Sequence, residues 1–194
     1  MTLPAFLPLL IAAAAVILFA LGNRRAKREI GRSPDVFGRS DSALDFLGRA
    51  HRVVFASSIA GLALHAVAAM PGAGTWAALG WLGAAVMLAG GACMAWAQHA
   101  MGTAWRIGID AAPTALVLRG PFTVSRNPTF LGMVMVLAGG AIAAPNLVTA
   151  AALGGGIVAF GTQIRLEEAH LAALHGEAYR AYAGRVGRWL GWRA

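Results

Sequence analysis

Cysteine is nearly missing from this chain. Cys93 is the only one in 194 residues, which excludes an intrachain disulfide and leaves too few thiolates for a cysteine-built metal site. Charge is scarce as well. Only 12% of residues are charged, about half the share of an average soluble domain, while 58% are hydrophobic. That balance excludes an ordinary water-exposed surface and points to a membrane protein. Acids number eight against sixteen basic residues, and Lys27 is the only lysine. The net charge of +8 does not read as a nucleic-acid footprint, because the arginines stand beside apolar segments, where membrane topology accounts for them. HExxH, the Walker lysine loop, GxGxxG and the GxSxG elbow are all missing, and the five histidines have no metal-ligand spacing, so no metal is expected.

What is present is a series of apolar runs. "LPAFLPLLIAAAAVILFALG", from Leu3 to Gly22, is long enough to cross a bilayer at about 20 residues. It has no basic start and is followed by Arg24, Arg25, Lys27 and Arg28, the pattern of an uncleaved span rather than a signal peptide. Further runs cover about 53–70, 76–97, 130–144 and 147–164, with "PGAG" at 71–74 and "PN" at 145–146 as punctuation. The fourth is short: fifteen residues make about 22 Å of helix against a hydrocarbon core of about 30 Å. It forms either an obliquely crossing hairpin with the fifth run or a re-entrant pair covered by protein. The expected fold is a single all-α domain over 1–194, a polytopic membrane bundle of about five transmembrane helices with a short hairpin and cytoplasmic C-terminal helices. Small residues at close spacing, including Gly80 with Ala84, Gly90 with Gly91, Gly132 with Gly139 and Gly140, and Gly154 to Gly156, allow close helix contact.

Eight basic residues between Gly22 and Val53 face four acids, Glu29, Asp35, Asp41 and Asp45. The positive-inside rule puts that loop in the cytoplasm, with the N-terminus and "PGAG" outside and both 99–129 and the tail inside. The arginine-rich composition suits a bacterial genome, hence a bacterial inner membrane. The runs at 3–22, 53–70 and 130–144 contain no acid or arginine and only His65, a poor start for a coupled transporter. A noncatalytic membrane assembly protein is the other alternative to an enzyme.

The polar residues concentrate in two segments. The first, from Trp96 to Pro128, sets Gln98, His99, Trp105, Arg106 and Asp110 near the membrane surface, where interfacial anchoring competes with ligand contact. It ends in "SRNP". Pro128 is suited to the first turn of a helix, Asn127 to its cap, and Arg126 stands just outside, an arrangement that favours an anionic ligand. The second segment is the tail. Glu167 and Glu168 lie about 100° apart on a helix, so one can face a ligand while the other pairs locally, with Arg165 as an available partner. Tyr179, Tyr182, Val186 and Trp189 form a stripe at helical spacing.

The order "GPFTVSRNPTFLG", an apolar hairpin, then "EEAHLAALHGEAYRAYAGRVGRW" resembles the membrane-bound isoprenylcysteine carboxyl methyltransferase superfamily, which includes phospholipid methyltransferase-like proteins. The resemblance rests on Gly120, Pro121 and Phe122, then Arg126, Asn127, Pro128 and Phe130, then Glu167, Glu168, Gly176, Tyr179 and Tyr182, within about 96–189. It implies S-adenosylmethionine bound by a cytoplasmic region over 96–192, and a lipophilic, membrane-partitioning methyl acceptor entering between helices from the surrounding lipid. The acceptor could present a carboxylate, a thiol or a lipid headgroup. On this resemblance the cofactor site comprises His99, Trp105, Arg126, Asn127, Pro128, Phe130, Glu167 and Glu168. Arg126 suits the cofactor carboxylate and one of the two glutamates its amino group, while Arg180 and Arg185 are the expected catalytic pair, orienting an anionic acceptor. Asn127 stands where the common pattern has His, and Phe130 where it has Tyr.

Overall fold

The computed structural model describes residues 5–35, 37, 43–68, 77–109 and 115–192. The "PGAG" turn, Arg39, Asp41 and Asp110 lie outside them. Among the described residues there are five α-helices, α1 (Leu7–Ile30), α2 (Ala43–Ala68), α3 (Ala77–Met101), α4 (Pro128–Ala143) and α5 (Leu147–Arg185). Among the described residues the only extended pairing is two isolated bridges, Asp35 with Ile107 and Val186 with Trp192. The molecule is therefore an all-α membrane-spanning bundle. Helices α1, α2, α3 and α5 are each long and apolar enough to cross a membrane, and α4 is the shorter apolar helix.

Several helices outrun the apolar stretches that betray them. α1 continues through Arg24, Arg25, Lys27 and Arg28 to Ile30, and stops where Gly31 takes a left-handed conformation (φ 78°) and donates its N–H to the Lys27 carbonyl at 3.0 Å. Lys27 and Arg28 in the last turn face the negative end of the helix dipole. α2 starts at Ala43, ten residues before the apolar run that marks it in the sequence. α5, with 39 residues running through a bend at Gly176, has a contour length of about 58 Å, nearly twice the hydrocarbon thickness.

The α3–α4 pair is the closest in the bundle, and its glycines explain why. Gly83 and Gly90 lie seven residues apart on α3, Gly132 and Gly139 seven apart on α4, and the antiparallel helices bring them together as Gly83 with Gly139 and Gly90 with Gly132. A Cβ on Gly90 would lie 2.6 Å from the Gly132 carbonyl oxygen, and one on Gly132 equally close to that of Gly90. Backbones thus touch directly, with Met87 and Met94 filling the flanks. Sequence spacing identified Gly132, Gly139 and Gly90 but not Gly83.

The α4–α5 connection is closed by Asn146, whose side chain accepts the Val148 and Thr149 N–H groups at 3.0 Å each, while the Thr149 hydroxyl donates to Ala144 O at 2.8 Å. Asn146 Nδ2 also donates to Gly61 O at 3.0 Å, pinning the hairpin to α2. Inside α5, Gly176 adopts φ 54° and ψ −124°, which a side chain would resist. The helix axis changes there, and Tyr179, Tyr182 and Val186 turn inward as a buried cluster. Replacing Gly132 by Ala is expected to destabilise the protein by about 1–3 kcal/mol through overpacking. Gly154→Ala, which meets nothing within 4 Å, should leave stability nearly unchanged; thermal unfolding of the solubilised variants checks both.

Candidate functional site

Parts of all five helices meet at one end of the bundle. Two loops there are stitched together by the backbone. Arg126 N–H donates to Gly187 O at 3.0 Å, Gly191 N–H donates to Val124 O at 2.9 Å, and Gly187 N–H closes the tail loop on Gly191 O at 2.7 Å. The Tyr182 hydroxyl donates to Phe122 O at 2.7 Å, tying the re-aimed end of α5 to the turn Gly120–Thr123. The Gly120, Gly176 and Tyr182 positions of the sequence pattern thus have one physical task. The glycines (φ 62° and 54°) bend the chain, and the tyrosine locks the bends together.

At the centre of this knot lies Glu168, 8% exposed. Its Oε1 accepts from Asn127 Nδ2 at 2.9 Å and lies 3.2 Å from Arg126 Nη2. Its Oε2 accepts from Arg188 Nε and Nη2 at 3.0 and 2.9 Å and from Arg126 Nη2 at 3.3 Å. The hydrogen bond to the carboxylate raises the Arg188 pKa, holding that guanidinium firmly charged. Two cations thus share this one buried carboxylate.

Two local expectations are corrected here. Asn127 occupies the position before α4, but its side chain makes no cap bond. Its amide is drawn instead to the stronger acceptor, Glu168, and to Arg188 O at 3.1 Å. Arg165 does not pair with Glu168: the lone pairs of that carboxylate are taken from the other side, and Arg165 Nη1 donates to Gly161 O at 2.7 Å.

Glu167, one residue earlier, faces elsewhere. It accepts from Gln163 Nε2 at 2.8 Å and lines a cavity of about 130 Å³ together with Trp105, Arg126, Asn127, Pro128 and Phe130. Phe19 of α1, His51 of α2, Met101 of α3, Arg106, Thr129 and Gln163 are also in its walls. Three lining residues carry buried polar atoms without a hydrogen-bond partner: Arg126 Nε, Gln163 Oε1 and His51 Nε2. Buried polar groups are paired as a rule, so these three atoms are open to partners from a ligand or from water.

The remaining expected residues lie apart. His99 lines a different cavity, of about 230 Å³, with Arg25, Glu29 and Gln98 between α1 and α3. Trp105 borders both, its ring N–H donating to Asn23 Oδ1 at 2.8 Å and its face meeting the edge of Phe19 at a centroid distance of 5.8 Å. Arg180 and Arg185 are exposed, and neither lines the cavity. Arg180 pairs with Glu177 at 3.0 Å. Tyr179, Tyr182 and Val186 take the inner face of this segment, which turns both arginines outward, so the expected catalytic pair is not brought to the site.

Sequence reasoning missed Arg188, Gln163 and His51. Gln163 was findable, one helical turn before Glu167. Arg188 sits in an irregular tail loop with no periodicity to place it, and His51 stands in a stretch that hydropathy assigns to a loop.

Residues 78–178 match the family described as phospholipid methyltransferase. No curated protein and no solved structure gives a match. The matched region covers more than half of the chain, from the start of α3 through the hairpin to the Glu167–Glu168 pair and Gly176. It therefore contains the cavity residues Trp105, Arg126, Asn127, Pro128, Phe130, Gln163 and Glu167, and on that match the chain belongs to the phospholipid methyltransferase family.

Proposed function

We propose that this protein is a membrane methyltransferase that uses S-adenosylmethionine and a lipophilic acceptor, with the donor held in the Arg126–Glu167 cavity. The observation that carries the reading is the set of unmet polar atoms on that cavity's walls. Arg126 Nε is a donor suited to a carboxylate. Glu167 and Gln163 Oε1 are acceptors suited to an ammonium group. The rings of Phe130 and Trp105 suit adenine or a sulfonium. Such a complement of charges and faces fits S-adenosylmethionine.

When bound, that group supplies a methyl on a positively charged sulfur, so no protein side chain needs to act as a covalent nucleophile. The chain's own contribution is alignment and desolvation. Glu168, held by Asn127, Arg126 and Arg188, keeps Arg126 in place rather than touching the donor. Glu167 orients, and Phe19, Met101, Phe130 and Met133 exclude water and offer an apolar approach for the acceptor. Arg180 and Arg185, exposed on the outer face, are given no part in orienting it.

The basic end of α1 lies at the cavity's end of the bundle, with Phe19 in the cavity wall and Arg24, Arg25, Lys27 and Arg28 following it within the same helix. By the positive-inside rule this end faces the cytoplasm of a bacterial inner membrane, with the N-terminus outside. The donor-binding region is then 96–192 of a single domain over 1–194.

Calorimetric titration of the purified protein with S-adenosylmethionine tests the reading. Wild type binds, and Glu167→Gln weakens binding about tenfold or more, the worth of a charge-assisted hydrogen bond. An unchanged dissociation constant in that variant, or no binding by wild type, would sink the assignment. Glu168→Gln behaves differently. Leaving Arg126 and Arg188 around a neutral amide should lower unfolding stability by about 3 kcal/mol, measured by thermal denaturation without any ligand.

A further inference from the structure

His51 reaches the cavity from α2, which lies outside the matched region, so it belongs to none of the motifs that carry the family assignment. Its ring is framed by Phe160, Phe130 and Phe37 at centroid distances of 4.9, 6.4 and 6.2 Å. Nε2 is buried without a partner, while the other ring nitrogen is engaged by a hydrogen bond to the Ala159 carbonyl. A carbonyl only accepts, so Nδ1 carries the hydrogen of the neutral ring and Nε2 is a bare lone pair. The phenyl neighbours offer that lone pair no donor. The other unmet atoms on the wall belong to the charged end of the ligand: Arg126 Nε is a donor, and Gln163 Oε1 is an acceptor whose amide is tied to Glu167. With Arg126 assigned to the carboxylate and Glu167 to the ammonium group, the partner left for His51 is an uncharged N–H or O–H. Phe130 lies in both the cavity wall and the frame of His51, and its face favours a planar base over a sugar at this nitrogen.

We infer that His51 is a specificity residue for the methyl donor, its Nε2 accepting a hydrogen bond from the 6-amino group of the purine. This rests on the methyl-transfer reading above. The imidazole stays neutral throughout and takes no part in moving protons. A base with hydrogen at that position would leave Nε2 stranded, and one with a carbonyl oxygen there would set two acceptors against each other. Either way the site loses a buried hydrogen bond that the adenine compound makes. Selection for the base thus falls to α2, while the amino-acid end of the donor is held by α4 and α5.

Calorimetric titration of the purified protein compares S-adenosylhomocysteine, the donor without its methyl group, with the same compound carrying hydrogen in place of the 6-amino group. Wild type should favour the amine by about tenfold, the worth of one buried hydrogen bond. His51→Phe keeps a ring and drops the acceptor, and should bind the two compounds within about twofold of each other. His51→Gln, whose amide oxygen reaches about as far as Nε2, should restore part of the preference. A side chain that only fills space would change both affinities together and leave their ratio at the wild-type value. A second readout leaves the side chain intact and decides the matter even where His51→Phe does not fold. In wild type labelled with nitrogen-15 histidine, the unprotonated ring nitrogen of His51 should shift on adding S-adenosylhomocysteine and not on adding the hydrogen analogue. A wild-type ratio within about twofold, a preference that survives whole in His51→Phe, or the same nitrogen shift with both compounds means that water or nothing meets Nε2. Any of these overturns the proposal and leaves the donor assignment intact. Failure of wild type to bind S-adenosylmethionine or either compound removes both readings together.

Discussion

The buried carboxylate of Glu168 is the interaction on which the site depends. Three elements without covalent proximity converge on it: the entry to α4 through Arg126 and Asn127, the middle of α5, and the tail loop through Arg188. A lone carboxylate in such surroundings would be expensive to bury, and the buried Arg126 would be costly without it. Mutual satisfaction makes the arrangement tolerable and also fixes its geometry, because each oxygen has its partners and none can shift without stranding another. The backbone pairing of 124–126 with 187–191 follows from that anchoring, and so does the orientation of Arg126, whose unmatched Nε is left facing the cavity.

A rigid floor is needed beneath such a knot, and the α3–α4 contact provides it. Helix α4 has only 16 residues, about 24 Å, less than a typical hydrocarbon core. Held backbone to backbone against the longer α3 through the two glycine pairs, and capped onto α2 through Asn146, it need not meet lipid at both ends as an independent span. Its first turn therefore sits at a fixed depth, and with it Asn127, Pro128 and Phe130. The kink at Gly176 answers the same requirement from the other side. α5 is too long to lie wholly in the membrane, and bending it back delivers Tyr182 and the tail onto the α4 entry.

Much of this was legible in the sequence because it is written in residues that only a few physical roles suit. Apolar runs located the helices, and the ordered Gly-Pro-aromatic, Arg-Asn-Pro, Glu-Glu and Gly-Tyr-Tyr elements located the site. The 100° separation of Glu167 and Glu168 correctly implied that the two face different surroundings. It could not say which faces the cavity, because that depends on distant residues supplying cations on one side only. Helix ends were underestimated wherever charged turns flank apolar ones, after the apolar run in α1 and before it in α2, since hydropathy falls short of the helix. That error hid His51. Arg180 and Arg185 attracted attention by charge alone, when Tyr179 and Tyr182 had already claimed the inner face.

Asn127 gains a positive reason from the geometry. A primary amide has two N–H groups on one nitrogen, and here a single Nδ2 reaches both the Glu168 carboxylate and the Arg188 carbonyl. An imidazole carries at most one N–H per ring nitrogen, so it could not make both bonds from that point. Asparagine thus suits a position whose work is to bridge, and it gives up proton chemistry in return. A chain that commits this position to bridging must handle any proton released during transfer with another group. Among the described residues lining the cavity, Glu167 and His51 are the side chains able to take up a proton.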